Sequence, residues 1–207
     1  NAIVGVGIKN LPYFVFDCCY CLSNMTFSSS VTNIGNCAFF QCALSRVVIP
    51  GNVKTLGFGA FGCPNLKDVV ISEGVLEIGN AFAYCVNLTS VTIPASIIDL
   101  NQGSFNGCYN LKNVVLNNDL SNFRVYNAFG DSCFNLTNLV IGASVTNIGE
   151  CAFAHCHSLQ SIIIPASVTS IGAGAFDFCG SLVSIEVAAG NPAYCSDNGV
   201  LFTTAKN

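Results

Sequence analysis

Charged residues are scarce in this chain. They make up only 9% of its 207 residues, against about a quarter in ordinary soluble domains. The net charge of −4 comes from 7 basic and 11 acidic residues that form no basic run, so the electrostatic footprint of a nucleic-acid-binding protein is missing. Copies of such a chain repel one another only weakly.

Long apolar runs and a targeting signal are also absent. No run approaches the ~18 to 20 apolar residues that span a bilayer, although 52% of the residues are hydrophobic. The opening NAIVGVGIKN has no Met, basic segment or apolar signal core. These features predict a soluble chain without a membrane span, and either a processed product or an excised fragment.

One pattern, Phe-x-x-Cys-x-x-Leu followed by a short apolar run, repeats along the chain. The block AFAYCVNLTSVTI (81–93) shows the unit, and there are eight copies. The copies end 22, 22, 22, 23, 25, 23 and 23 residues apart, at Phe27, Ile49, Ile71, Ile93, Leu116, Ile141, Ile164 and Val187. The longest step carries its extra residues around RVYN (124–127) and GDS (130–132), where we expect a local bulge.

Each copy predicts one coil of a solenoid, because a single coil cannot bury its apolar side alone. Val47 and Ile49, two residues apart, fit a short strand with one buried face. Three strands end at proline, where we expect no ladder donor to be needed: Pro50, Pro94 and Pro165. Glycines recur at the next turn, and we expect them to have positive φ angles: Gly35, Gly57, Gly79, Gly149 and Gly172.

The repeat resembles the BspA-like leucine-rich repeats, with the consensus Leu-x-x-Ile-x-Ile-Pro-x-x-Val-x-x-Ile-Gly-x-x-Ala-Phe-x-x-Cys-x-x-Leu, over about residues 2–190. The resemblance implies an α/β repeat solenoid, right-handed and strand-dominated, with a parallel concave sheet and short helical or irregular turns on the convex side. We predict this solenoid over residues 1–190. Residues 191–207 are predicted to be a connector or C-terminal tail that leads to further sequence.

The resemblance also implies a function. Such proteins are secreted or lie on the cell surface of bacteria and parasitic protists, where they serve in adhesion and bind host or partner proteins. The family has no catalytic residue to carry over, so we expect no enzyme activity and no cofactor. The alternative is a self-assembling structural protein that forms fibres or arrays, because the first coil starts abruptly and charge repulsion is weak.

Thirteen cysteines raise the question of a disulfide framework, a metal site or simple packing. Eight occupy one slot of the repeat: Cys19, Cys42, Cys63, Cys85, Cys108, Cys133, Cys156 and Cys179. A residue type that recurs once per coil indicates a packing requirement, because Cys behaves as a small, readily buried hydrophobe. We interpret these eight as a structural column, called the cysteine column below.

Five further cysteines lie outside the cysteine column: Cys18, Cys21, Cys37, Cys151 and Cys195. Cys37 and Cys151 share a slot but lie five coils apart, too far for a disulfide. Cys18 and Cys21 belong to the segment CCYC, one coil from Cys37. Free thiols, a disulfide, and a redox or metal cluster all remain open for this group.

Two histidines flank Cys156 in the segment CAFAHCHSL (151–159). We expect His155 and His157 to point away from Cys156, one on either side of its turn. A zinc site needs four convergent nitrogen or sulfur ligands, and neither the spacing nor a second copy supplies them. We therefore predict no metal site here.

The exposed side of the predicted strands carries an apolar column beside a polar one. The apolar column consists of Thr26, Val48, Val70, Thr92, Val115, Val140, Ile163 and Glu186. Five of these eight side chains are large aliphatics. Arg46 and Asp68 stand in the polar column of neighbouring coils and are expected to pair. β-Propensity alone explains exposed Val and Ile, whereas a contiguous apolar stripe on a solenoid marks a binding face. The binding hypothesis places a protein partner on Arg46, Asp68 and the apolar column from Val48 to Glu186.

Overall fold

The computed structural model describes residues 2–98, 100, 103–118 and 128–204, which wind into about eight stacked coils. The strands of these residues are β1 (Ala2–Val4), β2 (Asn10–Leu11), β3 (Met25–Phe27), β4 (Asn33–Ile34), β5 (Arg46–Ile49), β6 (Thr55–Leu56), β7 (Asp68–Ile71), β8 (Ser90–Ile93), β9 (Asn113–Leu116), β10 (Asn138–Ile141), β11 (Asn147–Ile148), β12 (Ser161–Ile164), β13 (Ser170–Ile171), β14 (Ser184–Val187), β15 (Tyr194–Asp197) and β16 (Val200–Thr203). Strands β3, β5, β7, β8, β9, β10, β12 and β14 end at the eight block ends. The predicted repeat solenoid is therefore confirmed.

These eight strands and β1 line one side of the molecule, called the front face below. Their pairings are parallel and in register, so that Val48 lies beside Val70 and Val140 beside Val115. Side chains alternate along each strand, as in β5, where Val47 and Ile49 are buried and Arg46 and Val48 are exposed. The alternation follows from the two-residue period of a strand.

A stack of phenylalanine rings runs through the core. Phe39, Phe61, Phe82 and Phe105 are fully buried, and successive ring centroids lie 5.2, 5.7 and 5.5 Å apart with nearly parallel planes. Each stacked pair adds about 0.5 to 1.5 kcal/mol beyond area burial. The recurrent Phe of the repeat thus joins each coil to the next.

The Ala-Phe turn adds a backbone ladder on the opposite side of the coils. The N–H of the repeat Phe donates to the carbonyl one coil further on, which belongs to Ala in most coils (Phe39 to Ala60 and Phe153 to Ala175, both 2.8 Å) and to Ser104 for Phe82 (3.1 Å). A buried backbone donor needs such a partner. The turns are therefore hydrogen-bonded from coil to coil, as the paired strands are.

Positive φ angles fall two residues after most of the glycines predicted to have them. Gly79 has one (38°), but the expectation was wrong for Gly35, Gly57, Gly149 and Gly172; the left-handed residues there are Cys37, Gly59, Cys151 and Gly174. Close packing explains Gly57 instead, because a Cβ there would lie 2.5 Å from the Asn36 nitrogen in the preceding coil.

Proline interrupts the front sheet. Ladder pairing divides the front strands into β1-β3, β5-β7, β8-β9-β10 and β12-β14, and the strand after each break ends at Pro50, Pro94 or Pro165. Elsewhere the same slot donates to the preceding coil, as from Ala188 N to Ile164 O (2.9 Å). The expectation that no donor is needed there was wrong: proline removes a ladder bond, and the sheet divides at each such coil.

Helix is nearly absent from the described residues. It is limited to residues 128–135, which include a 3-10 helix at Gly130–Asn135. This helix contains the GDS segment of the longest repeat, so part of the extra length is taken up by a local helical turn. The RVYN segment lies outside the described residues.

The last coil is followed by an antiparallel hairpin, β15-β16. It lies against the outer edge of β14, where Ile185 N donates to Gly199 O (2.9 Å) and Val187 N donates to Ser196 Oγ (2.9 Å). The Tyr194 hydroxyl accepts a hydrogen bond from Ile171 N (2.9 Å). The hairpin thus supplies the acceptors that another coil would otherwise provide.

Candidate protein-binding face

The apolar column predicted from the sequence lies on the front face. Val48, Val140 and Ile163 have 45%, 42% and 63% of their surface exposed, and Val70 is exposed as well. Val115 is half-buried, while Thr26, Thr92 and Glu186 are exposed. The strand register places Val48 beside Val70, Val115 between Thr92 and Val140, and Ile163 beside Glu186. These eight residues are called the front column below.

Sequence reasoning missed one member of the front column. Ile3 of β1 pairs with Thr26 of β3 and is 80% exposed. The signal was present, because Val4 precedes Phe27 by 23 residues, one repeat period. The front column therefore begins one coil earlier than predicted.

The polar column beside it contains the expected ion pair. Arg46 Nη1 donates to Asp68 Oδ2, and both side chains are largely exposed. Exposed pairs contribute about 0 to 1 kcal/mol. The pair therefore orients two side chains on the front face more than it stabilises the fold.

Two grooves cut the front face at proline breaks. The groove at the β7/β8 break has a volume of about 370 Å³ and is lined by Asp68, Val70, Thr92 and Val115 among others. The groove at the β10/β12 break, of about 500 Å³, is lined by Val140, Ile163, Pro165 and Ala166 among others. The strands on either side of each groove are neighbours that share no hydrogen-bonded ladder, so each groove is a shallow apolar depression between two strands.

The cysteine column lies in the core, away from the front face. Cys42, Cys63, Cys85, Cys108, Cys133 and Cys156 are buried, and the end members Cys19 and Cys179 are half-buried. Burial raises the pKa of the Cys42 thiol to about 11 and that of Cys85 well above its ordinary value. Thiolates are the reactive form of Cys, so this column is suited to packing.

The cysteines outside the column are not joined to one another. Cys18, Cys21 and Cys195 are exposed free thiols, and Cys37 and Cys151 are half-buried free thiols. Among the described residues, no group of three or more His, Cys, Asp or Glu side chains could hold a metal ion.

The two histidines lie together instead of on opposite sides of their turn, so that expectation was wrong. Their ring centroids are 5.7 Å apart. His155 stacks on Phe178 in the next coil, and His157 packs against Phe134 in the preceding one, with centroids 4.8 Å apart in each pair. Aromatic neighbours hold both rings, because stacking buries their faces.

Comparisons with known proteins agree with this architecture. The chain matches the model of the BspA type leucine rich repeat region in six copies, over residues 3–112 and 79–194. No curated protein matches it. No helix within the described ranges is both long and apolar enough to cross a membrane.

Solved bacterial structures are similar as well. A leucine rich cell surface protein from Faecalibacterium prausnitzii is 30% identical, with a TM-score of 0.50, and is matched over 96% of this chain and 47% of its own. A Treponema pallidum leucine rich repeat protein is 29% identical (TM-score 0.46; 75% and 62% covered). The present chain thus spans about half of the F. prausnitzii protein. With most of its length matched by the repeat model, the chain belongs to the BspA-type leucine-rich repeat family.

Proposed function

We propose that this chain is a cell-surface or secreted repeat module, without catalytic activity, that binds a partner protein through the front column. The F. prausnitzii relative described as a leucine rich cell surface protein supports the location. The observation that carries the binding role is the set of exposed aliphatic side chains on the front face, Val48, Val70, Val140 and Ile163. Contiguous apolar patches on a soluble surface are typical of binding sites.

The front column is suited to a protein partner because an apolar centre lies beside polar groups. Val48 and Val70 lie next to the Arg46–Asp68 pair, and Ile163 lies one coil before Glu186. Interfaces commonly combine an apolar centre with a polar rim. Rim charges would set the partner's orientation more than its affinity.

The test is a triple variant, Val48→Asp, Val70→Asp and Val140→Asp, compared with the wild type in pull-downs from surface-labelled cells. We expect at least about a tenfold loss of captured protein, because desolvating a carboxylate costs more than about 1.4 kcal/mol. Folding should be retained, since exposed substitutions change stability by about 0.5 kcal/mol or less each.

Ile98→Asp is the matched control, because Ile98 is 74% exposed but lies outside the front column. It should capture as much protein as the wild type. Equal capture by the folded triple variant would remove the front column from the binding role.

End-to-end self-assembly, the alternative expected from the sequence, receives less support. Coil-on-coil stacking needs a free strand edge on the last coil. In this structure β15-β16 lies against β14 and hydrogen bonds to Ile185 and Val187. We therefore do not extend the proposal to fibres.

A further inference from the structure

The last two members of the cysteine column, Cys156 and Cys179, are neighbours in space. They occupy the same slot of two coils whose strands, β12 and β14, pair in register, and the rings of Phe153 and Phe176 in these coils stack with centroids 5.7 Å apart. Cys179 Sγ lies 3.1 Å from Phe153 O, in the turn that leads to Cys156. Coils stacked at a strand spacing of about 4.8 Å place such residues within the roughly 4.4 to 6.8 Å between Cα atoms that a disulfide spans.

Access to solvent distinguishes the two thiols of this pair. Cys156 is fully buried, whereas Cys179 is half-buried. The residues on either side of Cys179, Phe178 and Gly180, are exposed, and a Cβ at Gly180 would meet nothing within 4 Å. A small solute can therefore reach the sulfur of Cys179.

A hydrogen bond between the two thiols makes their acidities differ. The thiol of Cys156 donates to the sulfur of Cys179, which lowers the pKa of Cys179 against the opposing effect of burial. The same bond, together with burial, raises the pKa of Cys156. Because the thiolate is the nucleophile in thiol–disulfide exchange, Cys179 is suited to attack an external disulfide and Cys156 to resolve the product.

We propose that Cys156 and Cys179 are a redox-active dithiol, which closes to a disulfide between their two coils in the presence of a low-molecular-weight disulfide such as oxidised glutathione. The Cys179 thiolate attacks one sulfur of the oxidant, whose S–S bond breaks and releases one glutathione thiolate. Cys156 then loses its proton and attacks the sulfur of Cys179, which expels the second glutathione thiolate. Two protein thiols are oxidised, and one external disulfide is reduced to two thiols. This chemistry is independent of the front column.

The test uses the full chain with its exposed thiols removed by Cys18→Ser, Cys21→Ser and Cys195→Ser. After incubation with oxidised glutathione at neutral pH, we expect peptide mapping by mass spectrometry to find Cys156 joined to Cys179. In the further variant Cys156→Ser, the reaction should stop with one glutathione on Cys179, because the resolving thiol is gone. In Cys179→Ser, Cys156 should remain a thiol.

Cys85 and Cys108 are the matched control in the same sample. Their thiols are also hydrogen-bonded to each other, but both residues are fully buried. They should form a disulfide at least about tenfold more slowly, because exchange requires access to a thiolate. Absence of the Cys156–Cys179 disulfide, or its formation no faster than that of Cys85–Cys108, would overturn the proposal. Glutathione attached to Cys156 in Cys179→Ser would contradict the assigned order of attack.

Discussion

The thiol of Cys85 donates a hydrogen bond to the carbonyl oxygen of Phe61 in the preceding coil, with sulfur and oxygen 3.0 Å apart. The same bond recurs along the cysteine column, between Cys42 and Phe16, Cys63 and Phe39, Cys108 and Phe82, and Cys179 and Phe153, at 3.0 to 3.2 Å. The Cys of the repeat therefore serves as a donor between coils and also fills space. An apolar residue of similar size at position 85 would leave the carbonyl oxygen of Phe61 without this hydrogen-bond donor.

The paired variants Cys85→Ala and Cys85→Ser separate these two roles. Ala removes both volume and donor, and we expect a loss of about 1 to 2 kcal/mol in the free energy of unfolding. Ser keeps a donor for Phe61 O, so it should lose less. Urea unfolding monitored by circular dichroism measures both. If packing alone matters, Ser will be the worse variant, because a buried hydroxyl without a partner is costly.

Alkaline pH should weaken the fold through the buried thiols. Burial raises the pKa of Cys42 from its ordinary 9.0 to about 11, and that of Cys85 well above 9.0. Above pH 9 the unfolded chain therefore releases thiol protons that the folded chain keeps, and the free energy of unfolding falls as pH rises. Below pH 9 this contribution is fully present.

Urea midpoints at pH 7, 9 and 10.5 measure that fall. Cys85→Ala provides the control, since removing one deeply buried thiol should flatten the decline by up to about 1.4 kcal/mol per pH unit. A decline of the same slope in both proteins would assign it to other groups.

Much of the fold could be predicted because the same pattern of buried and exposed residues recurs in eight copies of the repeat. The block ends from Phe27 to Val187 coincide with strand ends, and the Arg46–Asp68 pair forms as expected. Both follow from a fixed period and the two-residue alternation of a strand. The position of the front column follows from the same rule.

Features that depend on contacts between particular backbone atoms could not be predicted in this way. The thiol bond of Cys85 requires the Phe61 carbonyl of another coil to lie within reach. The break before β12 depends on the missing N–H of Pro165, which cannot donate a ladder bond to the preceding strand. Spacing locates such residues but does not show which atoms meet.

Gly107 should tolerate substitution poorly. It has a φ of 75°, and a Cβ there would lie 2.7 Å from Cδ1 of the Tyr84 ring in the preceding coil. We expect Gly107→Ala to cost about 1 to 3 kcal/mol. At Gly180, a Cβ would meet nothing within 4 Å, so Gly180→Ala is the control and should be nearly neutral. The midpoints of urea unfolding of the two variants measure this difference. Equal midpoints for Gly107→Ala and Gly180→Ala would contradict the clash with Tyr84.

The hairpin after the last coil should act as a cap through Tyr194. Its hydroxyl is the acceptor for Ile171 N, at 2.9 Å in a half-buried setting. Tyr194→Phe removes that acceptor and keeps the ring, so we expect a loss of about 1 kcal/mol and faster hydrogen exchange at the Ile171 amide, because terminal coils open most readily. Tyr109→Phe, which alters an exposed tyrosine in the middle of the solenoid, should change neither quantity. Unchanged exchange at Ile171 in Tyr194→Phe would show that the last coil is held by the hairpin's backbone bonds alone.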